Sequence, residues 1–92
     1  MTFSKWGYEF DGAYTNPNML RPAPGVYVIW CQTRSHRKIL DLGESGNVVE
    51  RIIYHDRTGS WKQNCSGTIR YSAAYVSTKK ERLKLEKKNK KF

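Results

Sequence analysis

Gly25-Val26-Tyr27-Val28-Ile29-Trp30-Cys31 is an unbroken β-branched and aromatic run, and Ile39-Leu40-Asp41-Leu42-Gly43-Glu44-Ser45 follows it after a polar, basic stretch. A run without polar alternation reads as a central strand buried on both faces. The second run is shorter and ends at a glycine, so the two pair as an antiparallel hairpin. Gly43 to Gly46 is a flexible turn. Asn47 with Glu50 three residues on has the capping-box form, predicting a helix from about Val48 to Asp56. Val48, Val49, Ile52 and Ile53 share one face of that helix by spacing. Arg51, Tyr54 and His55 share another, free for chemistry.

Outward from this frame the signals thin. Residues 57 to 67 read as a polar loop around Trp61 and Cys65, and residues 68 to 77 alternate through Ile69, Tyr71, Ala73 and Tyr75 as a third strand. Thr78 suits an N-cap. A basic helix over about 79–91 follows, with Leu83 and Leu85 giving it a thin apolar contact. Upstream, three prolines and two glycines make residues 11 to 25 an irregular loop. Tyr8 and Phe10 alternate with Trp6 as in a short edge strand or a packed arm. The expectation is a single domain over 1–92 of the α+β class, with a small three-stranded antiparallel sheet flanked by helices.

Ninety-two residues suffice for one core, and twelve aromatic side chains concentrate its burial. The net charge of +9 favours polyanionic partners, nucleic acid among them. Residues 79 to 92 carry eight basic and two acidic side chains, which is +6 of that total. Such a tail is either a solvated basic helix or a non-specific phosphate-binding arm. No apolar run reaches membrane-spanning length, and Lys5, Glu9 and Asp11 interrupt any signal-peptide core, so a cytoplasmic, intracellular protein without membrane contact is expected. Cys31 and Cys65, far apart and in no Cys-x-x-Cys pairing, are then expected as reduced, buried thiols. With His36 and His55 they fit no common zinc module.

The order of these elements resembles the GIY-YIG nuclease domain, over a core of residues 25–86. The family's first triplet stands as Gly25-Val26-Tyr27, its second as Asp41-Leu42-Gly43, and Gly43-Glu44-Ser45 continues as the family often does. Arg51, eight residues beyond Gly43, matches the family arginine, and His55 a frequent histidine. Glu86, in Arg82-Leu83-Lys84-Leu85-Glu86, looks like the metal-binding glutamate of the final helix. The resemblance implies a metal-dependent endonuclease that hydrolyses phosphodiester bonds, DNA ahead of RNA, with Tyr27, Arg51, His55 and Glu86 as catalytic residues. It also implies a magnesium or manganese ion on Glu86, and Gly43, Glu44, Ser45 and Asp41 in phosphate-binding or auxiliary places.

In that scheme Tyr27 activates or orients the attacking water, Arg51 neutralises the phosphate and His55 is an auxiliary donor or proton carrier. A phenol with an ordinary pKa near 10 is ionised in only about one molecule in a thousand at pH 7, so a base role needs nearby cations. Taken singly, each residue has a plainer reading: Tyr27 as a core aromatic, Arg51 and His55 as a solvated helix face, Glu86 as a surface carboxylate between Arg82 and Lys90. Asp41 stands where the second triplet usually has tyrosine. It either repels phosphate or joins Glu86 at a metal, which keeps open an alternative: a weakly active or inactive nucleic-acid-binding module of the same fold. A third reading, a protein-interaction domain, rests on exposed tryptophans at Trp6, Trp30 and Trp61. Specificity is expected from residues 11 to 24 and 57 to 67, or from a targeting partner protein.

Overall fold

The apolar run from Gly25 does form a strand, β3 (Gly25–Gln32), buried at seven of its eight positions. In the computed structural model, which describes residues 1–90, it is the fourth strand of an antiparallel sheet ordered β1-β2-β5-β3-β4. The other strands are β1 (Thr2–Lys5), β2 (Tyr8–Tyr14), β4 (Arg37–Ser45) and β5 (Thr68–Tyr75). Among the described residues there are three α-helices, α1 (Val48–Ile53), α2 (Thr58–Gln63) and α3 (Lys79–Asn89), and a short 3-10 turn at Pro17–Met19. The expected end of the last helix at residue 91 lies outside the described residues.

The three-stranded expectation is therefore corrected to five strands. β3 does lie between β4 and β5, but β2 pairs with the far side of β5, and β1 with β2. Residues 11 to 14 read as loop because Asp11 and Gly12 break the apolar pattern. They belong to a strand with a register shift between Asp11 and Tyr14, where Gly12 adopts φ 121°. A Cβ at Gly12 would stand 2.6 Å from the Tyr71 carbonyl oxygen, so the close pairing with β5 needs a residue without one.

Strand alternation sorts the core into two layers. Val26, Val28, Trp30, Phe10, Leu42 and Ala74 face α3, which contributes Leu85. Tyr27, Ile29 and Ala73 face the opposite way, under Val48 and Ile52 of α1, Trp61 of α2 and Leu20. Asn47 caps α1 as its spacing predicts, its side chain accepting from the Glu50 N–H at 3.1 Å. The helix ends at Ile53, earlier than expected, and residues 58–63 are helical where a loop was expected. The buried Trp61 anchors that short helix. Burial of Trp30 and Trp61 also removes most of the motive for an aromatic protein-interaction surface.

Arg82 is buried and joins α3 to the sheet. Its Nε lies 3.1 Å from Glu44 Oε1 on β4, and its guanidinium donates to the carbonyls of Val76 and Ser77 at 3.1 and 2.8 Å. Among the described residues no helix is long and apolar enough to cross a membrane.

Cys31 and Cys65 form a disulfide, with Cα atoms 5.5 Å apart, which corrects the expectation of reduced thiols. Sequence distance hid the pairing: the chain from Gly67 packs against the Gln32 backbone and returns residue 65 to the end of β3. The cystine closes a separation of 34 residues, for which the chain-entropy treatment gives about 3–4 kcal/mol. Urea unfolding with and without dithiothreitol is expected to show a loss of that order on reduction, with the Cys31→Ser/Cys65→Ser variant matching the reduced protein.

Candidate functional site around Tyr27

Tyr27 points from the central strand into the layer under α1 and α2, and its neighbours across the sheet are Gly43 on β4 and Ala73 on β5. The pairing is selective for small residues. A Cβ on Gly43 would fall 2.2 Å from the Tyr27 hydroxyl oxygen, so the phenol lies directly over the glycine. That contact gives Gly43 a packing reason independent of any turn.

His55 closes the other side of the phenol. Its Nε2 is 3.0 Å from Tyr27 Oη, and its ring stands edge-on to Tyr27 and 4.7 Å from the ring of Trp61. The residue lies just beyond the C-cap of α1 at Tyr54, so it turns inward while Tyr54 faces solvent. The Arg57 backbone N–H donates to Nδ1 at 3.1 Å, which leaves the proton of the neutral imidazole on Nε2. His55 therefore donates to Tyr27 Oη. Asp56 Oδ1 also stands 3.1 Å from Nδ1, a contact that becomes favourable when the ring is doubly protonated.

Asp41 completes the cluster and points into it. Its Oδ1 accepts from the Leu42 N–H at 2.9 Å, and its Oδ2 accepts from Trp61 Nε1 at 2.9 Å and lies 3.0 Å from Arg57 Nε. A carboxylate this buried is stable only with such donors. Arg57 and Arg51 form the rim, with 51% and 44% of their side-chain surfaces exposed, so both present charge to solvent beside a buried phenol. Arg51 makes a loose 3.9 Å ion pair with Asp56 and also acts on the Tyr27 phenol.

These surroundings work against each other. Burial raises the Tyr27 pKa above 10; Arg51 pulls it down, Asp41 pushes it up, and burial wins. Burial lowers the His55 pKa below 6.5, with Arg51 acting in the same direction and Asp41 opposing it. At neutral pH the pair is a neutral phenol accepting from a neutral imidazole.

Tyr27, His55, Asp41 and Arg51 thus lie together, whereas Glu86, the fourth residue of the expected catalytic set, does not join them. It belongs to α3, whose Leu85 packs on the opposite face of the sheet, and its Oε1 lies 4.0 Å from Lys90 Nζ. Glu44 also faces α3, paired with Arg82. Ser45 Oγ accepts from the Asn47 N–H at 3.0 Å and donates to its carbonyl at 3.1 Å, which braces the turn before α1. Among the described residues no three His, Cys, Asp or Glu side chains form a metal-ligating group. The donors beside Tyr27 do not fit a divalent cation, because the Asp41 oxygens are taken by two N–H groups and a guanidinium.

Arg57 and Trp61 were not recognised from sequence as site residues. A lone aspartate inside Ile39-Leu40-Asp41-Leu42 was the available sign that a buried carboxylate needed donors. No protein-family model, curated protein or solved structure matches the chain.

The lowered His55 pKa fixes a direction for acid sensitivity. Between its folded value and 6.5 the unfolded chain binds more protons, so this contribution to stability is complete above about pH 6.5 and is lost as pH falls below it. Urea titrations across that range should show this fall, and His55→Gln should abolish the His55 component. Gly43→Ala should destabilise the fold by about 1–3 kcal/mol through overpacking against Tyr27, and Gly43→Ala with Tyr27→Leu should recover part of the loss.

Proposed function

We propose that the chain is a nucleic-acid endonuclease domain of the GIY-YIG kind, acting on DNA ahead of RNA. The observation that carries this reading is the 3.0 Å contact between His55 Nε2 and Tyr27 Oη, with the exposed Arg51 beside it. The flanking of β3 by β4 and β5 supports it. Phosphodiester hydrolysis requires an activated water and relief of charge building on phosphate. Tyr27 orients the water or takes its proton, and the Nε2–H of His55 favours the phenolate that a base role needs. Arg51 and Arg57 sit where exposed cations would meet the phosphate. Magnesium or manganese enters through Glu86 alone, the residue the resemblance assigns to it, and no step here runs through the ion.

A second reading, a binding module that does not cut, is favoured by the burial of Tyr27, which is 2% exposed and whose pKa that burial raises above the ordinary value. The Cys31–Cys65 bond stands against the expected cytoplasmic address, because cytosolic thiol buffers keep such pairs reduced. A targeting partner protein remains part of the proposal.

Plasmid incubated with magnesium or manganese, and separately with EDTA, decides between the two. As an endonuclease, the wild type cuts, Tyr27→Phe loses roughly 10²- to 10⁴-fold and Arg51→Ala roughly 10²- to 10³-fold. Glu86→Ala lowers the rate if it holds the ion. If the phenolate is the base, the rate climbs about tenfold per pH unit through neutrality, since the Tyr27 pKa exceeds 10. Equal cleavage by wild type, Tyr27→Phe and Arg51→Ala would falsify the site, and salt-sensitive binding without cleavage would establish the second reading.

A further inference from the structure

On the face of the sheet opposite Tyr27, two grooves of about 780 and 650 Å³ run along either side of one residue, Trp6. The first lies between the β1–β2 hairpin and α3, and is lined by Trp6, Tyr8, Lys80, Lys84 and Lys88. The second continues past Trp30 to Arg37 and Lys38 near the start of β4, and shares Trp6, Lys88 and Asn89 with the first. The lysines at 80, 84 and 88 recur at helical spacing, so α3 turns one cationic stripe toward the groove. Lys5 adds its ammonium 4.8 Å from the Trp6 ring centre and 5.5 Å from that of Trp30. The acidic group lining these grooves is Glu81, whose carboxylate accepts from Tyr8 Oη at 2.8 Å.

Trp6 occupies a position that local physics assigns to another residue. Lys5 pairs with Tyr8, so Trp6 and Gly7 are a two-residue hairpin loop, and both have positive φ, 55° and 80°. This turn favours Asn-Gly, and a bulky aromatic at its first position is strained. Its indole is partly exposed and lines both grooves.

We propose that this continuous groove binds a single-stranded nucleic acid, whose phosphates pair with Lys80, Lys84, Lys88, Lys5 and Arg37 and one of whose bases stacks on Trp6. Cations interleaved with an aromatic surface match the chemistry of a strand with unstacked bases, whereas a duplex offers no base face to an indole. The surface shares no residue with the Tyr27 site. It rests on the functional reading above only for the class of partner.

Binding of a labelled oligothymidylate, an oligouridylate and a blunt DNA duplex of equal length is measured by fluorescence anisotropy in EDTA, where cleavage plays no part. Trp6→Asn suits the turn, so a thermal melt should show the fold retained, while affinity for the single strands falls roughly 5- to 150-fold, the range for loss of one base stack. Lys84→Ala/Lys88→Ala, at two exposed helix positions, should reduce the salt slope for oligothymidylate by about 1.4. The two oligonucleotides report whether deoxyribose or ribose strands are preferred. Duplex bound as tightly as single strands, or single-strand affinity unchanged in folded Trp6→Asn and in the lysine variant, overturns the proposal. Groove binding that persists in a protein that cuts nothing leaves it standing and removes only the endonuclease reading.

Discussion

The packing of the Tyr27 phenol over Gly43 constrains everything around it. An aromatic side chain in a central strand has neighbours on both sides, and here they are glycine and alanine. A one-residue slip of β4 against β3 would exchange its two faces and bring a side chain where the glycine stands. The contact therefore helps set the hairpin register, and the register in turn fixes which side chains of β4 meet α1, α2 and α3. With the hydroxyl held over Gly43, His55 is needed as its hydrogen-bonding partner. That demand brings the chain inward just after α1.

Asp41 explains why α2 exists at all. Its six residues carry little intrinsic helical stability, since a helix this short is marginal in water. What holds it is Trp61, whose ring packs against His55 and whose N–H satisfies the buried carboxylate. The same carboxylate attracts Arg57 and raises the Tyr27 pKa. Fold and electrostatics are thus set together: the group that organises α2 also opposes ionisation of the phenol, and the cation that offsets it is on the rim.

What could be read from sequence followed the strength of local signals. The uninterrupted run of β3, the alternation of β5 and the Asn47 cap each arise from interactions within a few residues, so spacing alone reveals them. The β1–β2 hairpin was obscured because a tryptophan occupies a turn position that usually holds asparagine, and because Gly12 allows a strand to continue where composition suggests a loop. The cystine and the Asp41–Trp61 bond join positions 34 and 20 residues apart, distances over which no periodicity operates. Motif spacing singled out Tyr27, Arg51, His55 and Glu86 as one set and left the direction of Asp41 open. It carried no information about which face of the sheet α3 would cover.

That last point governs how Glu86 can relate to the phenol. Alternation along β3 sends Val26 and Val28 toward α3 and Tyr27 away from it, so the hydrogen-bonded sheet stands between Leu85 of α3 and the phenol. A change of side-chain rotamer cannot exchange the two faces of a strand. β4 is the end of the sheet, and Glu44 with Arg82 fastens α3 to it. A ligand that engages both the rim arginines and the α3 face must therefore reach around an edge, past β4 or along an open end of the strands, as a flexible polyanion can and a small substrate cannot. Joint action of Glu86 and Tyr27 on one phosphodiester thus demands either such a path or a displacement of α3 that breaks the Arg82 contacts.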